Sequence, residues 1–336
     1  MKAITIKDIA KALNVSVATV SRSLRNHPDV NEVTRKMVLE KAKDMDYHPN
    51  LMASSLSSRK SKIIGVVVPT INRGFWSNAI SGIEEETNKR GYKVMICQSC
   101  ESSYHENENL EILANSRVDG ILLAISKNTI SKEKVESILS RGIPILLFER
   151  IFENIECNKV RTDDFNGSYT ATSHLIKSGC RRIAYFMGYK SLNVCEERLR
   201  GYIAAIKDHG LVVDKELIVE TSFEREEVKI DFVRFYTKTI EKPDGIFCFA
   251  DVIAIGVVLG ARKLNLRIPE DFSLIGFGDD DVSSLITPSL TTMRQPSFEM
   301  GEKSASILIN EIAEKSTHFV TEKFTPTLII RNSTKN

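Results

Sequence analysis

The stretch NVSVATVSRSL, from Asn14 to Leu24, stands between two segments with a clear helical pattern, KDIAKAL before it and TRKMVLEKAKDM after it. Val, Thr and Ser are mediocre helix formers, because β-branching restricts χ1 and hydroxyls compete for backbone hydrogen bonds. Ser16 can nevertheless cap a helix over about Val17 to Arg25, which Pro28 then ends. Two short helices joined by a tight turn are typical of a helix-turn-helix.

The apolar positions predict how these helices pack. The residues expected to be buried in the first two helices are Ile6, Ile9, Ala10, Leu13, Val20 and Leu24. A third helix, about Glu32 to Met45, carries Val33, Met37, Val38 and Ala42 at helical spacing. The residues expected to stay outside on the second helix are Val17, Ala18, Ser21 and Arg22. Short side chains there would let the backbone enter a major groove about 12 Å wide, where an arginine can fork onto guanine. A small structural three-helix bundle with incidental basicity is the alternative.

The distribution of charge also singles out this head. The 336 residues carry a formal net charge of +2, but residues 1–62 have 12 Lys and Arg against 6 Asp and Glu, so +6. The remainder has 34 against 38, so −4. A basic head on a slightly acidic body indicates that only the head meets a polyanion.

Targeting and cysteine patterns favour a reduced, aqueous compartment. The N-terminus MKAITIKDIA has no long apolar region, so we expect no signal peptide, and no run reaches the roughly 20 apolar residues of a membrane span. Six cysteines then predict buried thiols in the cytoplasm. Cys97 and Cys100 have C-x-x-C spacing, but no second pair completes a tetrahedral site. We therefore expect no metal and no cofactor.

From Ile63 onward, apolar runs alternate with amphipathic helical stretches. The runs are IIGVVVP, KVMIC, GILLAI, IPILLF, RIAYFMG, DGIFCFA and FSLIGFG. Continuous apolar strands separated by helices predict parallel sheets covered on both faces. Two such series, divided near Lys159 to Asp164, predict two similar α/β lobes. After a crossover at LTTMRQP, one more helix and a final strand, TPTLII, complete the pattern.

The chain resembles the LacI/GalR family of bacterial transcription regulators. The head TIKDIAKALNVSVATVSRSLRNHPDVNEVTRKMVLEKAKDMDYHPN, the hinge-like ASSL, and the body motifs VDGILL, IPILLFER, RTDDFNG, ERLRGY, PDGIFCFAD and TPSLTTMRQP carry the resemblance in order. It implies an all-α helix-turn-helix head and an α/β bilobed, periplasmic-binding-protein-like body with two parallel-sheet, Rossmann-like lobes. The implied domains are the head at 1–49, a hinge helix and linker at 50–61, and an effector-binding and dimerisation domain at 62–336. Lobe 1 would comprise about 62–160 and 292–322, and lobe 2 about 161–291 and 323–333.

The resemblance also implies a set of DNA-binding residues. They are Thr5, Ser16, Val17, Ala18, Thr19, Ser21, Arg22, Asn31, Thr34, Tyr47, Asn50, Ala53 and Leu56. In the family, two hinge helices of a dimer lie in the minor groove, and the residue matching Leu56 wedges into a base step. Apolar wedges of this kind kink the duplex most easily at pyrimidine–purine steps.

For the body, the resemblance and the strand ends together predict an effector site between the lobes, outside the carboxyl ends of the strands. The predicted residues are Phe75, Trp76, Glu149, Arg150, Arg198, Phe223, Asp251 and Asp279. The family commonly has an acidic residue directly after the aromatic of the GFGDDD segment; here that place is Gly278, and Asp279 is next. Arginine, carboxylates and aromatic walls suit a sugar or sugar phosphate, with a nucleobase less favoured.

We therefore predict a homodimeric regulator, a repressor, that binds a pseudo-palindromic operator in double-stranded DNA and is controlled allosterically by a small molecule. A solute-binding protein of a sugar transporter is the alternative, but it predicts a secretion signal and no basic head. An enzyme is not expected, since the sequence has no G-x-S-x-G, Walker or H-E-x-x-H motif.

Overall fold

The computed structural model describes residues 4–24, 26–47, 60–129, 132–314 and 318–335. The chain divides into two compact units, Met1–Ser61 and Lys62–Asn336, which we call the head and the body. Within the described residues, no helix is both long enough and apolar enough to cross a membrane.

The described residues of the head form three helices around one small core. They are α1 (Ile6–Leu13), α2 (Val17–Leu24) and α3 (Glu32–Asp44). The buried side chains are Ile9, Ala10, Val20, Val38 and Ala42, with Ile6, Leu13 and Leu24 packed at the edge of the core. The helix-turn-helix packing predicted for α1 and α2 is therefore present.

The third helix is present as predicted, but only part of its apolar pattern faces the core. Val38 and Ala42 are buried, but Val33 is 71% and Met37 is 44% exposed. Residues 33 and 37 are four apart, so they form one stripe, and that stripe is rotated by about 100° from the stripe through Val38 and Ala42. Apolar spacing alone does not say which of two such stripes faces the core.

In the part of the body that the structure describes, two six-stranded sheets are flanked by helices. The strands are β1 (Ile63–Val68), β2 (Lys93–Gln98), β3 (Gly120–Leu123), β4 (Ile145–Phe148), β5 (Lys159–Thr162), β6 (Ile183–Met187), β7 (Ile218–Glu220), β8 (Gly245–Cys248), β9 (Ser273–Gly278), β10 (Thr291–Arg294), β11 (Thr321–Phe324) and β12 (Thr327–Ile329). The helices are α4 (Gly74–Lys89), α5 (Ser103–Asn115), α6 (Glu133–Ser140), α7 (Asp164–Lys177), α8 (Asn193–Asp208), α9 (Arg225–Lys238), α10 (Asp251–Lys263), α11 (Val282–Leu285) and α12 (Ser297–Glu314), with a 3₁₀ turn at Lys215–Leu217.

The sheet orders show a doubly wound arrangement in each lobe. The first sheet has the order β11-β5-β4-β3-β1-β2 and the second β12-β10-β9-β8-β6-β7. All of these pairs are parallel except β10 with β12. β1, β3, β4, β6 and β8 are almost wholly buried, as expected for strands covered on both faces.

The chain passes between the lobes three times. It leaves the first sheet after Thr162, returns from the second sheet after Arg294, and crosses again between Phe324 and Thr327. Each crossover lies a few residues beyond the boundary expected from the sequence. The short strands β5, β7, β10 and β11 were not predicted, because they lack a continuous apolar run.

Two glycines allow α4 and α12 to pack closely in the first lobe. A Cβ on Gly82 would lie 2.0 Å from the carbonyl oxygen of Phe298, and one on Gly301 would lie 2.0 Å from that of Ala79. Because no side chain fits at such distances, glycine at both positions sets the separation of these helices.

Candidate functional site

Side-chain caps fix the ends of the head helices. The Ser16 hydroxyl accepts a hydrogen bond from the backbone N–H of Thr19 at 3.0 Å, which confirms its predicted capping role. Asn31 Oδ1 accepts from the N–H of Thr34 at 2.8 Å and so caps α3. The carboxylate of Asp8 accepts from the backbone N–H of Thr5 at 2.8 Å. These bonds satisfy backbone donors that the first turn of each helix leaves unpaired.

The outer face of α2 has the chemistry expected of a recognition helix. Val17, Ala18 and Arg22 are exposed and Ser21 is half-buried. Ser23, one residue further on, is buried, and its hydroxyl donates to the carbonyl of Thr19 at 2.8 Å. The exposed face therefore presents short side chains and one guanidinium.

The other predicted DNA-binding residues fall into two groups. Thr5 and Asn31 are exposed, whereas Thr19, Thr34 and Tyr47 are half-buried, and Tyr47 packs at the edge of the head core. Asn50, Ala53 and Leu56 lie outside the described residues.

In the body, one cavity gathers seven of the eight predicted effector residues. It is lined by Phe75, Trp76, Glu149, Arg150, Arg198, Phe223 and Asp251. Most of these residues follow the carboxyl ends of β1, β4, β7 and β8, the place where parallel α/β sheets bind ligands. We call this cavity the cleft.

Arg198 lies at the floor of the cleft and is only 3% exposed. Its Nε donates to Asp164 at 2.7 Å and its Nη1 to the carbonyl of Phe249 at 2.6 Å. Its guanidinium also stacks between two rings, 4.3 Å from the centroid of Phe249 and 3.7 Å from that of Phe277. This helix arginine is therefore a buried, fully positioned cation and not a solvated charge.

Asp164 is the buried carboxylate closest to this arginine, and its pKa is strongly shifted. Burial raises the pKa of Asp164 to about 7, although the charge of Arg198 opposes the shift. One oxygen of Asp164, Oδ2, is buried without a hydrogen-bond partner among the described residues. Glu149 also approaches Arg198, at 3.4 Å, so two carboxylates share one guanidinium.

Glu149 connects the cleft to the crossovers. Its Oε2 accepts from the hydroxyl of Thr162 at 2.8 Å and its Oε1 from the side-chain amide of Gln295 at 2.7 Å. Thr162 ends β5 and Gln295 follows β10, so each partner stands where the chain passes between lobes. A change in the surroundings of Glu149 would thus act directly on two crossovers.

Asp251 begins α10, and its carboxylate accepts three hydrogen bonds. It accepts from the hydroxyls of Thr292 at 2.6 Å and Ser283 at 2.7 Å, and from the backbone N–H of Asp280 at 2.9 Å. Burial raises its pKa to about 6, and these hydroxyls oppose the shift. Although Asp251 follows a strand and begins a helix, it does not cap that helix, because Ala250 is the N-cap and the carboxylate bonds elsewhere. It lines the cleft, as expected for a ligand contact.

Asp279, the eighth predicted residue, does not line the cleft. Its carboxylate forms ion pairs with Arg294 and Arg331, each at 2.7 Å. The next residue, Asp280, lines the cleft instead. The sequence indicates an acidic segment here, but the turn that separates consecutive side chains follows from the backbone, where Gly278 and Asp279 both have positive φ.

Several lining residues were missed by the sequence analysis. They are Arg73, Val194, Phe249, Ala250, Val252, Phe277, Gly278, Asp280 and Gln295. Position after a strand end was a usable signal for Phe249, Asp280 and Gln295. No sequence signal marked Arg73, which reaches across the cleft to the second lobe.

Contacts between the lobes close both sides of the cleft. Arg73 donates to the carbonyl of Phe223 at 3.5 Å, and burial lowers the pKa of this arginine. On the other side, Asn193 accepts from the N–H of Ile151 at 3.0 Å, and the hydroxyl of Ser191 donates to the carbonyl of Lys127 at 2.6 Å.

The two cysteines of the C-x-x-C pair are not among the residues that line the cleft. Cys97 is half-buried and Cys100 is exposed, and both are free thiols. Burial raises the pKa of Cys97, which is opposite to the shift that activates a thiol. Among the residues the structure describes, no three His, Cys, Asp or Glu side chains are grouped to hold a metal.

Comparison with known proteins extends these observations. A family model described as "Bacterial regulatory proteins, lacI family" matches residues 5–50, and one described as "Periplasmic binding protein-like domain" matches residues 172–334. The HTH-type transcriptional repressor PurR of Photobacterium profundum is 30% identical over 99% of both chains.

The chain belongs to the LacI family. Its head and body are those of a DNA-binding transcriptional regulator, and the curated relatives of this LacI-family chain carry the names of regulators, not of enzymes.

Solved structures agree with the fold of this LacI-family protein. The Lac repressor dimer bound to operator and the anti-inducer ONPF has a TM-score of 0.88 and 20% identity over 99% of both chains, which shows the shared fold. A LacI family regulator from Enterococcus faecium with bound ribose is 27% identical, with a TM-score of 0.72, and covers 81% of this chain and 98% of its own.

Proposed function

We propose that this LacI-family protein is a repressor that binds a pseudo-palindromic operator as a homodimer in the cytoplasm, and that a sugar or sugar derivative in the cleft controls this binding. The observation that carries the proposal is one chain with two surfaces: a recognition helix that exposes short side chains and Arg22, and a cleft lined by aromatic and charged side chains.

On the DNA side, Val17, Ala18, Ser21 and Arg22 enter the major groove. Methyl and hydroxyl groups contact base edges, and the guanidinium forms a bidentate contact with guanine. The remaining predicted head residues, Thr5, Ser16, Thr19, Asn31, Thr34 and Tyr47, position the head on the phosphates. Asn50, Ala53 and Leu56 belong to the proposed minor-groove contact.

On the effector side, the aromatic walls stack on a sugar ring, and the polar side chains of the cleft bond its hydroxyls. The ribose bound to the regulator from Enterococcus faecium supports this ligand class. Because Glu149 bonds to Thr162 and Gln295 at two crossovers, ligand contact there changes the angle between the lobes. Coupling is reciprocal, so a sugar that weakens DNA binding is itself bound more weakly by the DNA complex.

The test starts with selection of inverted repeats from a random duplex library at about 0.15 M salt. The selected duplex is then titrated by fluorescence anisotropy with and without sugars that raise the melting temperature of the protein. We expect an inverted repeat to be enriched and at least one stabilising sugar to change its Kd by about 5-fold to 150-fold. If no inverted repeat binds better than random duplex, with or without sugar, the proposal is wrong.

A further inference from the structure

The segment after β9 places two consecutive carboxylates in different surroundings. Asp279 turns toward Arg294 and Arg331, with which it forms ion pairs at 2.7 Å. Asp280 turns into the cleft. Its backbone N–H donates to Asp251 at 2.9 Å, so the buried carboxylate of Asp251 fixes the main chain at this position.

The carboxylate of Asp280 faces the opposite lobe. A Cβ on Gly74, the first residue of α4, would lie 2.5 Å from its Oδ1. Arg73 and Arg225 are the nearby cations, but neither forms an ion pair with Asp280 within 4.0 Å. Among the described residues, the Asp280 side chain is neither hydrogen-bonded nor ion-paired.

The other two carboxylates that line the cleft are already occupied. Glu149 accepts hydrogen bonds from Thr162 and Gln295 and approaches Arg198. Asp251 accepts three hydrogen bonds, one of them from the backbone of Asp280. Protein donors therefore already use most of the roughly four acceptor sites of each of these carboxylates, whereas the Asp280 carboxylate has all of its acceptor sites available to ligand hydroxyls.

We propose that Asp280 is the effector-selecting carboxylate of this protein, and that it accepts hydrogen bonds from adjacent hydroxyl groups of a neutral sugar. The inference rests on the proposed function, since it takes the cleft to be a sugar site. Burial raises the pKa of Asp280, so ligand donors would satisfy a group that the protein leaves poorly solvated. The site is completed only when the cleft is closed, because Gly74 on the first lobe forms its other side.

The first experiment measures sugar affinity in the full-length protein. Isothermal titration with a panel of neutral sugars, including D-ribose and cellobiose, identifies the tightest sugar for the wild type. Asp280→Asn and Asp280→Ala are expected to lower the affinity for that sugar by about 10-fold to 100-fold, the range for loss of hydrogen bonds to a charged group. Asp281→Asn is the matched control, because Asp281 is adjacent, exposed and outside the cleft lining, and its Kd should stay within about 2-fold of wild type.

The second experiment separates direct contact from a structural effect. Monodeoxy analogues of the tightest sugar are titrated into the wild type and Asp280→Ala. The analogue that lacks a contacting hydroxyl should lose affinity in the wild type but lose little more in Asp280→Ala, since the two changes remove the same hydrogen bond. If, for every analogue, the loss of affinity caused by the missing hydroxyl is the same in Asp280→Ala as in the wild type, Asp280 does not contact the sugar.

Two other outcomes are distinct. If the tightest sugar binds both Asp280 variants as well as it binds the wild type, the inference about Asp280 is wrong and the proposed function stands. If no sugar binds the wild type, both proposals are overturned.

Discussion

Asp164→Asn is expected to change how the stability of the body depends on pH. Asp164 is buried beneath Arg198, and its pKa is raised from 3.8 to about 7. At low pH the carboxyl is protonated in the folded and the unfolded protein, so it contributes no pH dependence. As pH rises from about 4 to about 7, the unfolded chain releases this proton while the folded protein keeps it, so the free energy of unfolding falls.

The magnitude follows from the size of the shift. One pKa unit corresponds to about 1.36 kcal/mol, so between about pH 5 and about pH 8 the wild type loses about 3 kcal/mol through this group, most of it below pH 7. Asparagine does not titrate. The difference in unfolding free energy between Asp164→Asn and wild type should therefore move by about 3 kcal/mol in favour of the variant over this range.

Trp76 provides the assay. It is the only tryptophan in the sequence, it is 4% exposed, and it lies in the body, so its fluorescence follows unfolding of this unit in urea. Titrations at about pH 5, 6, 7 and 8 give the difference at each pH, and groups that titrate equally in both proteins cancel. Asp163→Asn, one residue away, is the matched control. A difference for Asp164→Asn that stays constant within about 0.5 kcal/mol would refute the reasoning.

Four further changes test other parts of the molecule. Arg22→Ala should weaken binding to the selected operator by about 1–3 kcal/mol and reduce the preference for its base sequence. Lys36→Ala removes an exposed cation of α3 and should at most weaken binding to all duplexes equally. If Arg22→Ala loses the same affinity for operator and for random duplex in competition gel shifts, the major-groove assignment of Arg22 is contradicted. Leu56→Ala should weaken operator binding more than binding to random duplex, and parallel losses in the same gel shifts would remove the wedge. Gly301→Ala should destabilise the body by about 1–3 kcal/mol or more in urea unfolding, because its methyl group meets a carbonyl of α4; an unchanged midpoint would mean that the helices separate freely. Arg198→Ala should lower the free energy of unfolding of the body by about 3–5 kcal/mol, since it leaves the buried carboxylates of Glu149 and Asp164 without their cation. If the variant unfolds at the same urea concentration as the wild type, these carboxylates are not charged.

The sequence predicted those parts of the fold that depend on local chemistry. Long apolar runs such as IIGVVV identify central strands, and Ser16 identifies the start of α2. It did not predict β5, β7, β10 or β11, since these strands are short and only partly apolar. It also assigned Val33 and Met37 to the same pattern as Val38, because spacing along a helix does not specify which stripe meets the core.

Most of the cleft was predictable because strand ends converge. Arg198 and Phe223 required the resemblance to the family, since a helix arginine has no local feature that distinguishes it from a surface charge. The distinction between Asp279 and Asp280 depends on backbone conformation at Gly278 and on arginines more than ten residues away in sequence. A linear pattern contains neither.

The three crossovers have a consequence for synthesis of the protein on the ribosome. The first lobe includes two elements from the C-terminal part of the chain. They are β11 (Thr321–Phe324), which pairs with β5 at the edge of the first sheet, and α12, which packs on α4. Neither lobe can therefore finish folding until almost the whole chain has been translated, whereas the three helices of the head emerge first and contain their own core. We expect the head to fold on the nascent chain well before the body is complete. A ribosome that stalls late in translation would therefore hold a folded head joined to an unfinished body.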